Sequence, residues 1–448
     1  MLTPKIKHPA SQISTKNTHQ LKILQITDVR FWREEFGSQQ RISTLTQHLI
    51  NKGHHVHTLF LGRLTSEDAY NLSKETELTY HPGIITQDAP TSQDSFKTRF
   101  KQLILQAIID LNRKLLAPSL NLSMSDFFLR SHEPKLRDFH SLMNARLLEQ
   151  VEKQFRPDIV ILHFVRQAWL LKQLRHPCLK IVDTHDIQYL RQRLFHQHGE
   201  IHDLDITPKE EREALLAANL LIAIQANDAR CLQTLLPEKS IVICMHPHQI
   251  EPSNPNPRPG FRVGFIGSDM PPNRDAITRI INTIWPQVRD QLPNSELHLY
   301  GRSCLATDSL PASLNVTAHG FVENLTGIYQ YLDIVINPVR YGGGLKIKNV
   351  EALCHGKALI TTSNGAEGIR HGAGSAFLMH DQDGDFAHQI VSLLRDSTRR
   401  TTLEKAALAF ARIHFSPSST FNELDERLGQ HAQSLGKLQS ACFHKHQT

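Results

Sequence analysis

Apolar residues in this chain fall into short unbroken runs, separated by stretches in which they recur every third or fourth position. The runs Leu21–Thr27, His55–Leu61, Asp158–His163, Leu179–Thr184, Leu220–Ile224 and Ile241–Met245 read as strands buried on both faces. The stretches Gln39–Lys52, Leu136–Gln154, Arg166–Arg175, Lys209–Ala217 and Asn227–Leu235 read as helices. A strand with no polar face must be covered on both sides, so alternating strands and helices predict a parallel sheet between helical layers. The segment from Glu251 to Gly260 interrupts the rhythm with prolines at 252, 255, 257 and 259. Proline ends helices and removes ladder donors, so this segment reads as a linker.

Beyond it the alternation restarts. Strands are expected at Arg262–Ile266, Glu296–Tyr300, Asn315–Ala318, Ile334–Asn337 and Ala358–Thr362. Helices are expected at Asp275–Gln291, Leu325–Tyr331, Asp385–Arg395 and Arg399–His414, with one more opening after the glycines at 342–344. The organisation expected is α/β with two Rossmann-like, doubly wound domains facing across a cleft. The first spans 20–250, the linker 251–260 and the second 261–415, followed by a C-terminal helix and tail over 416–448. Open parallel sheets bind ligands beyond the C-terminal ends of their strands, so both domains can offer loops to the cleft.

Composition narrows the class. The chain has 448 residues, too many for one ordinary core, with 40% apolar and 21% charged residues. No window approaches the ~20 apolar residues of a membrane-spanning helix. The first twenty residues are polar and lack the apolar core of a secretory signal. Six cysteines at 178, 231, 244, 304, 354 and 442 show no paired spacing, which predicts reduced thiols in a cytoplasmic protein. The net charge of +6 is too small and diffuse to argue for nucleic acid. It suits phosphate-bearing ligands or an anionic membrane surface. Lys97–Leu116 is a cationic amphipathic segment, with Phe100, Leu103, Ile104, Ala107, Ile108 and Leu111 on one stripe. It reads first as a surface helix packed on the sheet. Its alternative is a peripheral contact with anionic lipid at the inner membrane face, or with a lipid-linked substrate.

The densest chemistry follows the strand at Ile334. Gly342-Gly343-Gly344-Leu345-Lys346-Ile347-Lys348-Asn349-Val350-Glu351 carries three glycines into a helix with two lysines and a glutamate. Unpaired amides and the dipole at a helix N-terminus favour an anion, and glycine lets the backbone approach it. A carboxylate one to two turns in can accept hydrogen bonds from sugar hydroxyls. Three other strand ends run into polar glycine turns: Gly267–Arg274, Gly301-Arg302 and Ser363–Gly368. Arg274, Arg302, Lys346 and Lys348 are candidate diphosphate partners. Taken singly these features are ordinary: Lys348 and Glu351 are spaced as a surface ion pair, and Gly356 is a helix cap. No GxGxxG turn follows the first strand, which argues against a dinucleotide-dependent dehydrogenase. His196, His198 and His202, or Cys244, His246 and His248, can be drawn as metal ligands. Neither set has zinc spacing, so no metal and no cofactor is expected. Asp183, His185 and Asp186 can be drawn as a metal or acid–base cluster.

The second half resembles the C-terminal domain of retaining glycosyltransferases of family four, which have the GT-B fold. The likeness rests on ordered blocks over 262–415: Gly264–Ser268, Pro272-Asn273, Leu297–Arg302, His319–Glu323, Gly342–Ala352, Gly356–Thr362 and Gly365–Ile369. The first half is similar more loosely, through Gly37–Leu49, Lys52–Val56 and Arg156–His163. Asp183–Tyr189 with Arg191 looks like a segment of members that build surface polysaccharides. The resemblance implies a nucleotide-sugar donor in the cleft and a glycan or lipid-linked acceptor. By that likeness Glu351 would hold the ribose, and Lys348, Arg274 and the amides after Gly343 and Gly344 the diphosphate. Gly37 would lie near the donor from the opposite domain, and His163 would approach the transferred sugar or the acceptor as the catalytic candidate. One departure stands out: the family's E-x7-E pattern has Gly343 at its first position here. A non-catalytic nucleotide-sugar-binding subunit is therefore an alternative, as is a GT-B epimerase or phosphorylase. The paired carboxylates of an epimerase and the pyridoxal lysine of a phosphorylase are not evident in the sequence.

Overall fold

The computed structural model describes residues 20–34, 36–62, 64, 65, 68, 77–80, 129–252, 260–306, 312–322 and 325–445. Lys97–Leu116, most of the proline-rich linker and Glu323 lie outside the described residues.

The unbroken apolar runs form two all-parallel sheets. The first contains β1 (Lys22–Thr27), β2 (His55–Phe60), β3 (Glu77–Tyr80), β4 (Ile159–His163), β5 (Leu179–Asp183), β6 (Leu220–Ala223) and β7 (Ser240–Ile243), in the order β3-β2-β1-β4-β5-β6-β7. The second contains β8 (Arg262–Ile266), β9 (Glu296–Tyr300), β10 (Val316–Gly320), β11 (Ile334–Asn337), β12 (Ala358–Thr361) and β13 (Leu378–Met379), in the order β10-β9-β8-β11-β12-β13. Strand order reverses beside the first strand of each sheet, between β1 and β4 and between β8 and β11. Such switch points open a crevice at the strands' C-terminal ends.

Alternation along each strand fills both faces. In the first sheet Leu24, Val160, Leu162, Val182 and Leu221 pack into one buried layer. Ile23, Ile161, Ile181 and Ile222 face the other way. The C-terminal helix Pro417–Lys445 returns from the second domain to cover that second layer with Phe421, Leu424 and Leu428. Asp425 pairs with His48 at 2.8 Å and Lys52 at 2.7 Å, and Glu423 accepts from the Ile243 amide at 3.0 Å. The chain thus crosses between domains twice.

Local chemistry explains where elements break. Leu136–Gln154, expected as one helix, divides into a 3-10 turn (Leu136–Phe139) and a helix (Leu142–Phe155). Ser141 caps the second piece by accepting from the Asn144 amide at 3.3 Å. Asp275–Gln291 is likewise interrupted. Helical turns at Pro271–Arg279 and Trp285–Gln291 flank a π turn over Ile280–Ile284. Pro286 has no N–H to continue the ladder, and the wider turn absorbs the mismatch. Val165–Lys172 is a 3-10 segment where a helix was expected, and helix Gln188–Gln197 and strands β3 and β13 were not anticipated.

Candidate active site

The C-terminal ends of both sheets meet across a cleft of about 1510 Å³. A single small-ligand pocket is typically ~300–1,000 Å³, so this cleft has room for two substrates. Gly37, Arg302, Gly343, Lys346, Lys348 and Glu351 line it.

The second-domain wall is built around helix Ile347–Cys354, which starts directly after the glycines. Gly342 and Gly344 have φ of +112° and +69°, backbone that side chains rarely adopt. Lys346 turns back on this loop. Its Nζ donates to the carbonyls of Gly342, Gly343 and Gly344 at 3.0, 3.2 and 2.7 Å and to Glu367 at 3.3 Å. Lys346 therefore braces the loop and is committed to its carbonyls, which differs from a free diphosphate ligand. Arg274 also departs from the expected placement. It pairs with Asp269 at 2.5 Å, half exposed, and is not on the cleft wall. Arg302 is on the wall, 5.3 Å over the Phe321 ring.

Lys348 is better placed. Its Nζ lies 4.5 Å over the Phe265 ring and donates to Asn273 Oδ1 at 2.5 Å. Asn273 is held in turn by Ser268, whose carbonyl accepts at 2.8 Å. Loss of water around the ammonium, reinforced by Lys346, pushes Lys348 down to about 7. Glu351 is buried beside it, accepts from Tyr329 Oη at 3.2 Å and is bonded by Gln40 of the first domain. Burial pushes its carboxyl up to about 7, against these bonds and Lys348.

The first-domain wall contains a buried relay. His163 ends β4 opposite Asp183 at the end of β5. Arg41 grips Asp183 with Nε at 3.0 Å and Nη2 at 2.8 Å. Asp183 is wholly buried. Desolvation alone would raise its pKa, but the Arg41 guanidinium and the hydrogen bond from His163 outweigh it and keep the carboxylate ionised. His163 Nδ1 lies 3.2 Å from His185 Nε2 and 3.4 Å from Asp183 Oδ2. His163 is 0% exposed and does not line the cleft; His185 does. His163 thus sits behind the imidazole that meets the substrate space, a correction to its expected direct contact.

The tautomers follow. His163 Nε2 is sealed without a partner, and a buried orphan donor costs more than an orphan acceptor. The His163 proton therefore sits on Nδ1 and points at His185 Nε2 and Asp183. His185 Nε2 then accepts, and its own hydrogen is on Nδ1, which bonds no described residue. Burial holds His185 well below its ordinary pKa, so it stays neutral. Its ring stacks on Phe164 at 4.0 Å. Both residues have left-handed backbones, with φ +61° at His185 and +67° at Phe164. Paired strain of this kind gathers at functional sites.

The atoms His163 Nδ1, Asp183 Oδ2 and His185 Nε2 lie 3.2–3.5 Å apart, the spacing of ligands around a small ion. Arg41 already bonds both oxygens of that carboxylate, and a dication there would face its guanidinium. The rings of His196, His198 and His202 have other neighbours. His196 bonds Glu133 at 2.7 Å, His202 Nδ1 lies 3.0 Å from the Leu204 carbonyl with Nε2 3.0 Å from Asp203, and His198 stacks on Tyr341 at 3.9 Å.

The two walls touch at the glycines. A Cβ on Gly37 would lie 2.7 Å from Ile347 Cδ1, and one on Gly344 would lie 2.1 Å from Asp186 Oδ1. Asp186 pairs with Arg191 at 3.0 Å. Asp228, bonded by Gln225 at 3.0 Å, feels Asp186 and Glu367 nearby. Burial, then those two carboxylates, push it up to about 8. His185, Asp186 and Arg191 lie in the segment 183–191 that the family resemblance already marked, whereas Asp228 gave no signal in the sequence.

Residues 260–396 match the family described as Glycosyl transferases group 1. An uncharacterized 44.6 kDa protein in the cps region of Klebsiella pneumoniae is 23% identical over 170 residues, which are 36% of this chain and 44% of that protein. The chain thus spans less than half the length of this curated relative. Among solved structures, sucrose-phosphate synthase from Thermosynechococcus elongatus aligns with a TM-score of 0.60 and 13% identity, over 95% of this chain and 100% of that one. HepE of Anabaena in complex with UDP-glucose aligns with 0.59 and 13%, over 92% and 100%. TarM of S. aureus aligns with 0.63 and 11%, over 92% and 99%. At these identities the likeness shows the fold, which is GT-B. No helix among the described residues is long and apolar enough to cross a membrane.

Proposed function

We propose that this chain is a glycosyltransferase that moves a sugar, with retention, from a nucleotide-sugar to a glycan or lipid-linked acceptor in surface-polysaccharide assembly. The observation that carries the reading is one corner of the cleft. Glu351 and Lys348 sit on the first turns after the glycine loop and line the same cleft as the neutral imidazole of His185. The match of residues 260–396 to the glycosyl transferases group 1 family supports it. So does the UDP-glucose named in the HepE structure, and the cps region named for the Klebsiella relative.

The chemistry sets each role. Glu351 accepts from the ribose hydroxyls. Lys348, together with the loop amides after Gly343, takes the diphosphate. The bond from the anomeric carbon to the diphosphate oxygen breaks as the bond to the acceptor oxygen forms on the same face. The acceptor's proton passes to the departing diphosphate. The main barrier is charge growing on the leaving group, and preorganised cations and N–H donors lower it. Closing the cleft keeps water from the reacting carbon. His185 presents Nδ1–H to the transferred sugar as a donor, and because that nitrogen already carries its hydrogen it takes no proton from the substrate. No protein nucleophile is needed.

Thermal stabilisation by UDP, GDP, dTDP and ADP identifies the base, since a ligand that binds only the native state raises Tm. Glu351→Ala abolishes the shift. If the variant keeps the full shift, the ribose contact is misplaced; if no nucleotide shifts the wild type, the reading fails.

A further inference from the structure

The first-domain wall of the cleft is matched in charge, arginine by arginine. Arg33 forks onto Asp68 with bonds of 2.9 and 3.1 Å. Arg166 forks onto Asp28 with bonds of 2.8 and 2.6 Å. Arg191 bonds Asp186 at 3.0 Å, and Arg41 bonds Asp183 as described. The four arginines on this wall therefore each face a carboxylate. Two further carboxylates line it, Glu34 and Asp203, neither bonded to an arginine. Glu34 is exposed, with a left-handed backbone (φ 50°), and accepts from Ser43 Oγ at 2.6 Å. Arg30 shares Asp68 with Arg33, 3.9 Å from its carboxylate. Among the described residues, each arginine of this wall therefore already faces a carboxylate, and the balance is one negative charge in excess.

Aromatic side chains also line it. Trp32 and Phe36 are half-buried at the rim, and Phe164 lies deeper, with the Arg166 guanidinium 4.3 Å over its ring. Rings and forked arginine–carboxylate pairs together offer apolar faces with fixed donors and acceptors in the plane beside them. A sugar ring presents the complementary surface: C–H groups on its faces and hydroxyls at its edge. The opposite wall differs in that Lys348 is bonded only to a neutral amide, Asn273.

We propose that the acceptor bound against the first-domain wall is an uncharged sugar ring whose hydroxyl receives the transferred residue. This rests on the glycosyltransferase reading and deepens it. A uronic acid, a phosphosugar or a bare lipid phosphate would place its charge beside Glu34, Asp203 and arginines already occupied. The reaction therefore extends a glycan that another transferase has begun. Atoms balance as before: the acceptor hydroxyl oxygen bonds to the anomeric carbon, the nucleoside diphosphate leaves, and the hydroxyl proton goes with it.

The test uses the full chain and the donor base identified by thermal shift. Release of nucleoside diphosphate is measured with matched octyl glycosides: glucoside, N-acetylglucosaminide, glucuronide and glucoside 6-phosphate. A neutral glycoside stimulates release above the acceptor-free rate, and its kcat/KM exceeds that of the matched anionic glycoside by more than about ten-fold, since like charges juxtaposed in an interface are strongly disfavoured. Glu34→Gln, at an exposed position, narrows that ratio by raising use of the glucuronide. If the glucuronide or the phosphate is used as well as the neutral ring, or better, the proposal is overturned while the glycosyltransferase reading stands. The same holds if Glu34→Gln leaves the ratio unchanged. If no nucleotide binds and no donor is turned over, the glycosyltransferase reading itself falls and takes this proposal with it.

Discussion

Binding of the donor should draw a proton from solution, and Lys348 is where it goes. In the empty cleft its ammonium is held to about 7 by lost hydration and by Lys346. A diphosphate arriving beside it restores the ordinary lysine range near ~10.4. Lysine is charged below its pKa, so the free site is already charged below pH 7 and needs no extra proton there. Above pH 7 the free site is neutral and must be protonated as the ligand binds. With a free value of 7, the uptake at pH 8 is about 0.9 proton, and affinity falls about ten-fold from pH 8 to pH 9. Glu351, at about 7, is already ionised in that window, so it adds little.

Calorimetry in two buffers of different ionisation enthalpy measures the uptake directly, using UDP or whichever nucleotide stabilises the fold. Work above pH 8 also keeps the nucleotide's own terminal phosphate fully ionised. Lys348→Arg stays charged throughout and flattens the pH dependence, at some cost in absolute affinity because the ring contact with Phe265 and the bond to Asn273 are reshaped. Lys348→Met loses both the affinity and the proton. An uptake near zero at pH 8, with affinity unchanged to pH 9, would refute the placement of the diphosphate beside Lys348.

Three other outcomes are expected. Gly344→Ala forces a side chain into φ +69° and against Asp186, at a cost of ~1–2 kcal/mol for the backbone alone; the variant folds with a lower Tm and binds nucleotide weakly, as thermal shift in the presence and absence of ligand will show. Prolonged chelation leaves donor turnover unchanged, because Arg41 already neutralises Asp183; activity lost to chelator and restored by zinc would reverse that account. Asp228 has its pKa raised to about 8, so the stability it contributes is full below its ordinary carboxylate range and is lost as pH rises through about 8. Asp228→Asn removes that loss, and a Tm profile from pH 6 to pH 9 becomes flatter, with a higher Tm at the alkaline end.

Much of the architecture was legible because the sheets are buried on both faces. Arg262–Ile266, Glu296–Tyr300 and Ile334–Asn337 coincide with the strands, since an apolar run between polar turns has no other stable place. β3 is an edge strand in which polar Glu77 and Thr79 alternate with Leu78 and Tyr80, and β13 is an edge strand only two residues long; such segments look like loops. Helix Gln188–Gln197 carries scattered glutamines and arginines with no apolar stripe, because it lies at the cleft where its polar side chains bond Glu133 and Asp186. Side-chain direction was less legible than position. A lysine next to three glycines looks available to an anion from the sequence; only the folded loop shows its ammonium spent on carbonyls. His163 ends β4, whereas His185 lies two residues beyond the end of β5, where a left-handed backbone puts its imidazole on the cleft and leaves 163 behind it.

Gly343 is where sequence pattern and structure have to be read together. A family pattern that places a carboxylate there makes the glycine look like a loss. In the folded chain a Cβ at 343 would stand 3.3 Å from Asp186 Oδ1 and 3.4 Å from Arg191 Cβ, both from the opposite domain. The space a longer side chain would occupy is thus already filled by an ion pair that the first domain delivers. Lys346 holds the same loop from below through three carbonyls, and the nearby carboxylates of Asp228 and Glu367 compete for its charge. The loop is therefore shaped by both domains at once, and its glycines are what allow the first domain to come that close. A carboxylate at 343 would have to displace Asp186 or hold the domains apart. Gly343, Asp186 and Arg191 therefore pack as one matched set.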